Sequence, residues 1–559
     1  MKISLHRQVV FAVSAGLIFC GLLPLGGCNK DKVAAVSAAD AAALAATAAD
    51  GLVSGRSSPA DGLVGGRSSP ADGGVACVFG DAPQRTLSDA ITPDAIMQAM
   101  TLVADWQLAN PAKWSTNLWH YAAFWVGMTK LAPLAESPKY YDAIKKNGDA
   151  NEWKPAARPG HSDDQAITSS YFYVYSIERD PKMIEPSLAR FDEMTKRTFN
   201  DPLTWDEAAE TPGKNASGAP AIHTREWAWC DALFMAAPAM AQATTSTGDM
   251  KYLNLANKLW WKTTDFLYEK DEHLYYRDSR FFEKKEPNGK KVFWSRGNGW
   301  VLAGTARMLQ NMPEQVSDRG RYITIFRDMA SRIAALQGKD GFWRASLLDP
   351  DSVPRPESSG TAFFTYALAW GINQGILDRA TFEPVVHKGW SALTGAVLPS
   401  GKLGWVQEVG FKPGDTCWDR TEVYGVGAFL LAGSELYRTA LLRDSPRITR
   451  SLKNPKANAR FDEVIDVPLQ AEEMKAVASG SKLIAVDGRS GEFLPTQLRD
   501  RAGDSLLVHV GSLGPSEERG VHIYRISPAT KLPPSRPTPF GTQAPRKKQG
   551  IVVVEVVGG

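Results

Sequence analysis

The sequence predicts an all-α (α/α)6 barrel followed by a small β module. Three observations predict it. Helical periodicity runs from about residue 91 to about residue 445. The helices come in pairs, an apolar one rich in small residues followed by a more charged, amphipathic one. The pairs start about every 60 to 70 residues, roughly six times over, before the pattern turns to strict alternation after about residue 455. Six hairpins with one layer apolar on most sides imply an inner and an outer ring. An open helical solenoid would show the same periodicity.

The first 28 residues form a targeting segment. Lys2, His6 and Arg7 make a basic start, Val9 to Leu23 is apolar, and Leu25-Gly26-Gly27-Cys28 is similar to a bacterial lipobox whose cysteine takes the lipid. Gly26 departs from that pattern, where Ala or Ser is commoner, so a plain secretory signal or an uncleaved anchor stays open. Asn29 after Cys28, rather than Asp, favours the outer membrane in a Gram-negative cell. The expected location is therefore periplasmic or cell-surface, anchored by lipid. Residues 29–90 read as a flexible tether: Ala49 to Pro59 recurs almost unchanged from Ala60 to Pro70, too short a repeat for a solenoid unit and rich in Gly, Ser and Pro.

The region 91–445 contains helical segments at 94–109, 115–134, 163–178, 183–199, 227–244, 249–268, 299–311, 320–336, 358–375, 382–394 and 420–438. Arg179-Asp180-Pro181, Thr247-Gly248-Asp249 and Gly375-Ile376-Leu377-Asp378 carry the chemistry that stops one helix and caps the next. Residues 455–530 alternate as strands do, at Glu463–Val467, Lys482–Val486, Ser505–Val510 and Gly520–Tyr524. The tail 531–559 is Pro-rich and basic, with a β-prone run from Ile551 to Val557.

Charge excludes a nucleic-acid partner: 64 basic against 61 acidic residues leave a formal +3 and no long basic run. Of five cysteines, Cys20 and Cys28 lie in the targeting segment. Cys77, Cys230 and Cys417 are too few and too widely spaced to imply a disulfide framework. No CxxC or HExxH pattern calls for a metal, and no cofactor is implied. The 17 Trp fit either a core or sugar stacking.

Chemistry concentrates in three stretches. In Trp227–Pro238 a carboxylate, Asp231, sits within a run apolar enough to be a core helix. On a helix, Trp227, Asp231, Phe234 and Pro238 share one face, so Asp231 projects into an aromatic, water-poor wall. Lost hydration there raises a carboxyl pKa and makes it a candidate proton donor. A structural Asp paired with Arg225 would also fit. Trp294-Ser295-Arg296-Gly297-Asn298-Gly299-Trp300, just ahead of a helix, offers two indole faces, close backbone approach at the glycines and a guanidinium fork for a carboxylate. Alternatively, its Arg could stack among aromatics in a core. His161-Ser162-Asp163-Asp164-Gln165 reads first as a capping box from Ser162 to Gln165, with acids suited to a helix N-terminus. It could equally place a second carboxylate at a barrel mouth.

These stretches, together with Leu274-Tyr275-Tyr276-Arg277-Asp278, Glu357–Ala362 and Val423–Ala432, resemble glycoside hydrolase family 105 and the related family 88, in order and over roughly residues 95 to 440. The resemblance implies an (α/α)6 barrel that removes a 4,5-unsaturated uronic acid, galacturonic or glucuronic, from the non-reducing end of oligosaccharides left by polysaccharide lyases. In that chemistry an acid protonates C4 of the C4=C5 vinyl ether, water adds at C5, and the resulting hemiketal collapses. Asp231 matches the family's acid, and Asp163 its second carboxylate, with Asp164 as the alternative register. Trp294, Arg296 and Trp300 match residues lining the uronate site, Arg296 facing the carboxylate. Arg277 stands where some members have a substrate-contacting His, and His223 lies near, but not on, a second family His. The β module resembles accessory domains of some such hydrolases. Rhamnogalacturonan fragments are the substrate that family habit suggests. Competing readings are a conventional inverting glycosidase using the same two acids and a surface glycan-binding lipoprotein that needs no buried acid.

Overall fold

The computed structural model describes residues 87–205, 221–499 and 504–534 and the backbone of 552–555. The lipobox with Cys28, the repeat linker up to residue 86 and most of the tail lie outside the described residues. In chain order the helices are α1 (Pro93–Ala109), α2 (Trp119–Leu131), α3 (Lys139–Ala150), α4 (Thr168–Glu178), α5 (Glu185–Thr195), α6 (Ala232–Met235), α7 (Ala237–Thr247) and α8 (Met250–Leu267). They continue as α9 (Ser295–Asn311), α10 (Arg319–Ala335), α11 (Ser358–Asn373), α12 (Arg379–Gly395), α13 (Val423–Leu442) and the short α14 (Ala471–Ala478).

Among the described residues, α2, α4, α7, α9, α11 and α13 form an inner ring, each packed on the next, and α13 packs back on α2. That last contact closes the ring and rules out an open solenoid. Its chemistry is explicit at two glycines. A Cβ on Gly127 of α2 would lie 2.4 Å from the Gly427 carbonyl oxygen of α13, and one on Gly427 would lie 2.2 Å from that of Ala123. Only hydrogen fits where these backbones touch. Inner helices are buried nearly all round, Ser358 to Ile372 of α11 without a break. The outer helices α1, α3, α5, α8, α10 and α12 bury one stripe, and three of them, α1, α8 and α12, are capped by short polar side chains: Thr92 accepts from Ala95 N–H, Asp249 from Lys251 and Asp378 from Thr381.

Several sequence expectations shift. Helix α3 is missing from the helical segments expected from sequence, because its apolar stripe is only Tyr140, Ile144 and the small Gly148, with charges elsewhere. The expected helix 227–244 starts only at Ala232 and breaks at Ala236 before Pro238 lets α7 restart. Trp227, Asp231, Phe234 and Pro238 therefore do not share a helical face. Residues 163–178 divide into a 3-10 turn (Ser162–Gln165) and α4. The cap is His161, whose Nδ1 accepts from Asp163 N–H, not Ser162 in a capping box. Helix α9 begins at Ser295, so the Arg296-Gly297-Asn298 segment is its first turn rather than a loop before it. Cys417 is disulfide-bonded, with its partner outside the described residues, whereas the cysteine spacing implied no such link. Cys230 is the free, buried cysteine among them.

A hairpin of β1 (Tyr268–Glu269) and β2 (Leu274–Tyr275) follows α8. Strands resume at β3 (Arg447–Lys453), earlier than the alternation suggests, then β4 (Arg460–Phe461), β5 (Val464–Pro468), β6 (Lys482–Asp487), β7 (Phe493–Leu494), β8 (Thr496–Leu498), β9 (Ser505–His509), β10 (Ser512–Leu513), β11 (Glu518–Ile526) and β12 (Val552–Glu555). A five-stranded antiparallel sheet, β12-β3-β11-β6-β7, faces a three-stranded one, β5-β9-β8, across a core including Leu452, Val467, Val508 and Val521. The module docks on the barrel: Ile484 and Ile526 join the barrel's core, and Glu492 ion-pairs with Lys130 at the end of α2 and Arg438 of α13. These contacts lie at the C-terminal ends of inner helices. Contacts between Ser295 and Glu357, and between Trp119 and Tyr424, gather N-terminal ends at the other. No described helix is long and apolar enough to cross a membrane.

Candidate active site

Asp231 lies at the N-terminal end of the inner ring, in the cap position of α6. Its segment is pinned by the Cys230 N–H donating to the Arg277 carbonyl at 2.9 Å. Only 8% of Asp231 is exposed, and burial raises its pKa above the ordinary carboxyl value. Arg277 opposes that rise, as do the Cys230 thiol at 3.4 Å and Arg296 further off, without reversing it. Arg225 is paired with Asp201 and not with Asp231. The buried acid that the sequence suggests is thus present, delivered by an irregular turn instead of a helix face.

Arg277 follows β2. Its Nε stands 3.5 Å from Asp231 Oδ2, and its Nη1 donates to Asp278 at 2.8 Å. Asp278 has no exposed surface; burial works to raise its pKa, yet Arg280 and Arg277 together hold its carboxyl below the usual range. Arg280 grips the same carboxylate through Nε and Nη2, both at 2.9 Å. Both guanidiniums lie against Trp205, Arg277 at 5.0 Å and Arg280 at 4.3 Å from the ring centre.

Next to this pair, His223 stacks on Trp205 with ring centres 5.1 Å apart and meets His161 edge-on at 5.2 Å, and both rings touch Trp229. Burial first, then the nearby Arg277 and Arg158, push His223 down to about 4; burial and Arg158 push His161 down too. Both imidazoles are neutral at physiological pH, so they can accept hydrogen bonds from sugar hydroxyls.

The carboxylate doublet is split by its surroundings. Asp164 is 2% exposed and committed: it accepts Arg158 N–H at 2.6 Å and Arg158 Nη2 and Nε at 2.7 and 3.1 Å. Asp163 keeps 9% exposure, 3.5 Å from the Ser162 hydroxyl and 3.8 Å from His161 Nδ1. Asp164 is thereby a structural anchor, and Asp163 is the more exposed carboxylate of the two.

Trp294, Arg296 and Trp300 occupy the wall. Arg296 is 1% exposed, lies between Trp294 (4.3 Å) and Tyr424 (4.9 Å), and donates to the carbonyls of Gln407 at 2.9 Å and Glu408 at 2.8 Å. Its fork, expected to face a substrate carboxylate, is engaged with backbone. The stack continues through Tyr424, Trp119, His120 and Trp114, with His120 sandwiched at 3.8 and 3.9 Å. It joins the N-termini of α9, α13 and α2. Trp300 is 1% exposed and packs on Phe363 and Phe234. Neither indole offers an open face.

Trp205 and Arg280 escaped the sequence reading, and Asp278 enters it only as the end of the Leu274–Asp278 stretch, with no role. The spacing Arg277-Asp278-Ser279-Arg280 was the available signal, since one carboxylate can bracket two nearby guanidiniums; Trp205 stands in a loop with no pattern.

A closed ring of six helical hairpins with a buried acid, a second carboxylate and arginines at one mouth is the arrangement of a glycoside hydrolase acting on acidic sugars. The model of glycosyl hydrolase family 88 matches residues 90–440, and the chain belongs to that family, whose members act on unsaturated uronic acid residues. Two relatives, each named unsaturated 3S-rhamnoglycuronyl hydrolase, are similar. The protein from Formosa agariphila is 40% identical over 347 residues, 61% of this chain and 89% of its own. The one from Alteromonas sp. is 38% identical over 324 residues, 58% of this chain and 78% of its own. A solved structure described as a polysaccharide lyase superimposes with a TM-score of 0.55 at 32% identity, covering 62% of this chain and 97% of that one. A family 88 hydrolase from Bacteroides vulgatus gives 0.54 at 29%, covering 62% and 99%.

Proposed function

We propose that the protein removes a 4,5-unsaturated uronic acid from rhamnose-containing, lyase-generated oligosaccharides, and that Asp231 is the acid. The observation that carries this reading is the burial of Asp231 beside Arg277, which favours the protonated carboxyl and sets it next to a guanidinium suited to an acidic sugar. Asp231 gives its proton to C4, and a water placed by Asp163 adds to C5 and returns a proton to the Asp231 carboxylate. The C5 hemiketal then opens, freeing the ring oxygen as a hydroxyl on C1. That hemiacetal expels the next sugar. The names of the two relatives support rhamnose in the aglycone position. His161 and His223, neutral and facing Trp229, suit sugar hydroxyls.

The test follows the ultraviolet absorbance of the C4=C5 bond on unsaturated uronyl–rhamnose oligosaccharides and on pectin and glycosaminoglycan fragments. Wild type should consume it, and Asp231→Asn should be slower by about a hundredfold or more. Absorbance that persists while saturated oligosaccharides are cleaved would favour the conventional glycosidase. Lipidation of Cys28 and export to a membrane are part of the same proposal, resting on the Leu25–Cys28 motif. Mass spectrometry of the mature N-terminus, with Cys28→Ala as control, tests them.

A further inference from the structure

We infer that Arg277, braced by Asp278 and Arg280 on Trp205, receives the carboxylate of the unsaturated uronate, and that this exchange of partners strengthens the hold of Asp231 on its proton when substrate binds. The inference rests on the proposed reaction. Protonation requires C4 against the Asp231 carboxyl, and the substrate carboxylate hangs from C5, the next atom. With carbon–carbon bonds of about 1.5 Å, the carboxylate carbon lies within about 2.5 Å of C4. The cation that binds it must therefore adjoin Asp231.

Two arginines are near enough to act on Asp231, Arg277 and Arg296. Arg296 has its terminal nitrogens on the Gln407 and Glu408 carbonyls and both faces covered by Trp294 and Tyr424. Freeing it would unpin that loop and strip the Glu408 carbonyl of its guanidinium donor, while the Gln407 carbonyl would keep the Tyr424 hydroxyl. Arg277 has 14% of its side chain exposed against 1% exposure of Arg296, and spends Nη1 on Asp278; Nε lacks a hydrogen-bond acceptor in both arginines, so the terminal nitrogens and the exposure separate them. The orientation of Arg277 is fixed without substrate: Asp278, shared with Arg280, holds one edge, and Trp205 supports the plane. A preorganised fork of this kind binds carboxylate with little ordering cost.

A consequence follows from charge. The groups facing Asp231 are Cys230 from its own segment, Arg277 from beyond β2 and Arg296 from α9. In the free enzyme Arg277 is the nearest counter-charge of Asp231 and favours its ionised form. A substrate carboxylate takes over that guanidinium and adds its own negative charge beside Asp231, and both effects favour the protonated acid. The substrate thereby arms its own catalyst. Asp278 and Arg280 act as positioning residues.

The experiment compares an unsaturated uronyl disaccharide with its C6 methyl ester, using wild type, Arg277→Gln, Arg277→Lys, Arg280→Gln and Arg296→Lys, each checked for folding by circular dichroism. Wild type should prefer the acid by about a hundredfold in kcat/KM, falling to within about threefold in Arg277→Gln. Arg277→Lys should restore part of the preference, Arg280→Gln should weaken it, and Arg296→Lys should keep it. With the acid substrate, the alkaline limb of kcat should lie at higher pH than that of kcat/KM, and the two should coincide for the ester. Preference retained by Arg277→Gln, or lost in Arg296→Lys, overturns the inference while leaving the hydrolase reading intact. No turnover of any unsaturated substrate by wild type removes both.

Discussion

Arg277 Nε stands 3.5 Å from Asp231 Oδ2, and the same guanidinium bonds the wholly buried Asp278 at 2.8 Å. The acid and its supporting carboxylate therefore share one cation, and the strength of the acid depends on how that cation is divided. Burial raises the Asp231 pKa and Arg277 lowers it. A general acid works protonated, so activity falls as pH rises through its pKa. Replacing Arg277 with Gln removes the lowering influence, and the alkaline limb of kcat/KM should move to higher pH. A pH–rate series with both proteins checks this; a limb that stays put or moves down would show that Arg277 does not govern the acid.

The same burial bears on stability. Because the folded pKa of Asp231 is raised above the ordinary carboxyl value, ionisation costs the folded state more than the unfolded chain. The protonated acid is fully tolerated below the unfolded pKa, and stability is lost as pH rises from there through the folded pKa. Asp231→Asn should therefore melt higher than wild type at neutral pH, with the gain vanishing below about pH 4. Thermal unfolding at the two pH values tests the sign. A variant that melts lower at neutral pH would mean that the ion pair with Arg277 outweighs the burial.

The two carboxylates of the doublet should separate cleanly. Asp164 anchors Arg158 from a 2% exposed position, so Asp164→Asn should lose about 1–3 kcal/mol of stability by stripping charge-assisted hydrogen bonds. Asp163→Asn should fold normally and lose about a hundredfold or more in kcat. Denaturant titration beside steady-state kinetics distinguishes them, and a stability loss confined to Asp163→Asn would reverse the assignment.

How far the sequence announces this molecule can be argued from the same residues. The inner ring is legible because helices such as α11 and α13 are apolar on every side, which period and composition record directly. Helix α3 is not, since three small or apolar positions suffice to seat it once neighbours exist. Asp231 is legible as a carboxylate in an apolar run, although the helix starts only at Ala232 and leaves Asp231 in the turn that caps it. Closure of the ring depends on Gly127 meeting Gly427 across 300 residues, which no local pattern encodes. The role of Arg296 depends likewise on two carbonyls, at 407 and 408, that only folding brings to it. Side-chain chemistry reads well from sequence, and partners distant along the chain do not.

The β module should prove to be part of the barrel's stability. Arg438 is 2% exposed and sits between Glu435 of its own helix and Glu492 of the module, while Lys130 reaches the same Glu492. Asn373 closes the group by donating to Glu435 at 2.9 Å. Two cations thus meet two carboxylates at the floor, and one of the carboxylates belongs to the module. Burial raises the Glu435 pKa, with Arg438 opposing it, so Glu435 alone is a poor counter-charge for Arg438. Glu492→Gln should cost about 1–3 kcal/mol, because it leaves a buried guanidinium short of an acceptor. Removing residues 447–559 should cost more, since Ile484 and Ile526 would also leave the barrel's core. The expected readout is a lowered denaturant midpoint for both proteins, with the acid-over-ester preference of the mouth preserved in Glu492→Gln. A truncated barrel as stable as the full chain would instead make the module an independent appendage and return its role to ligand binding.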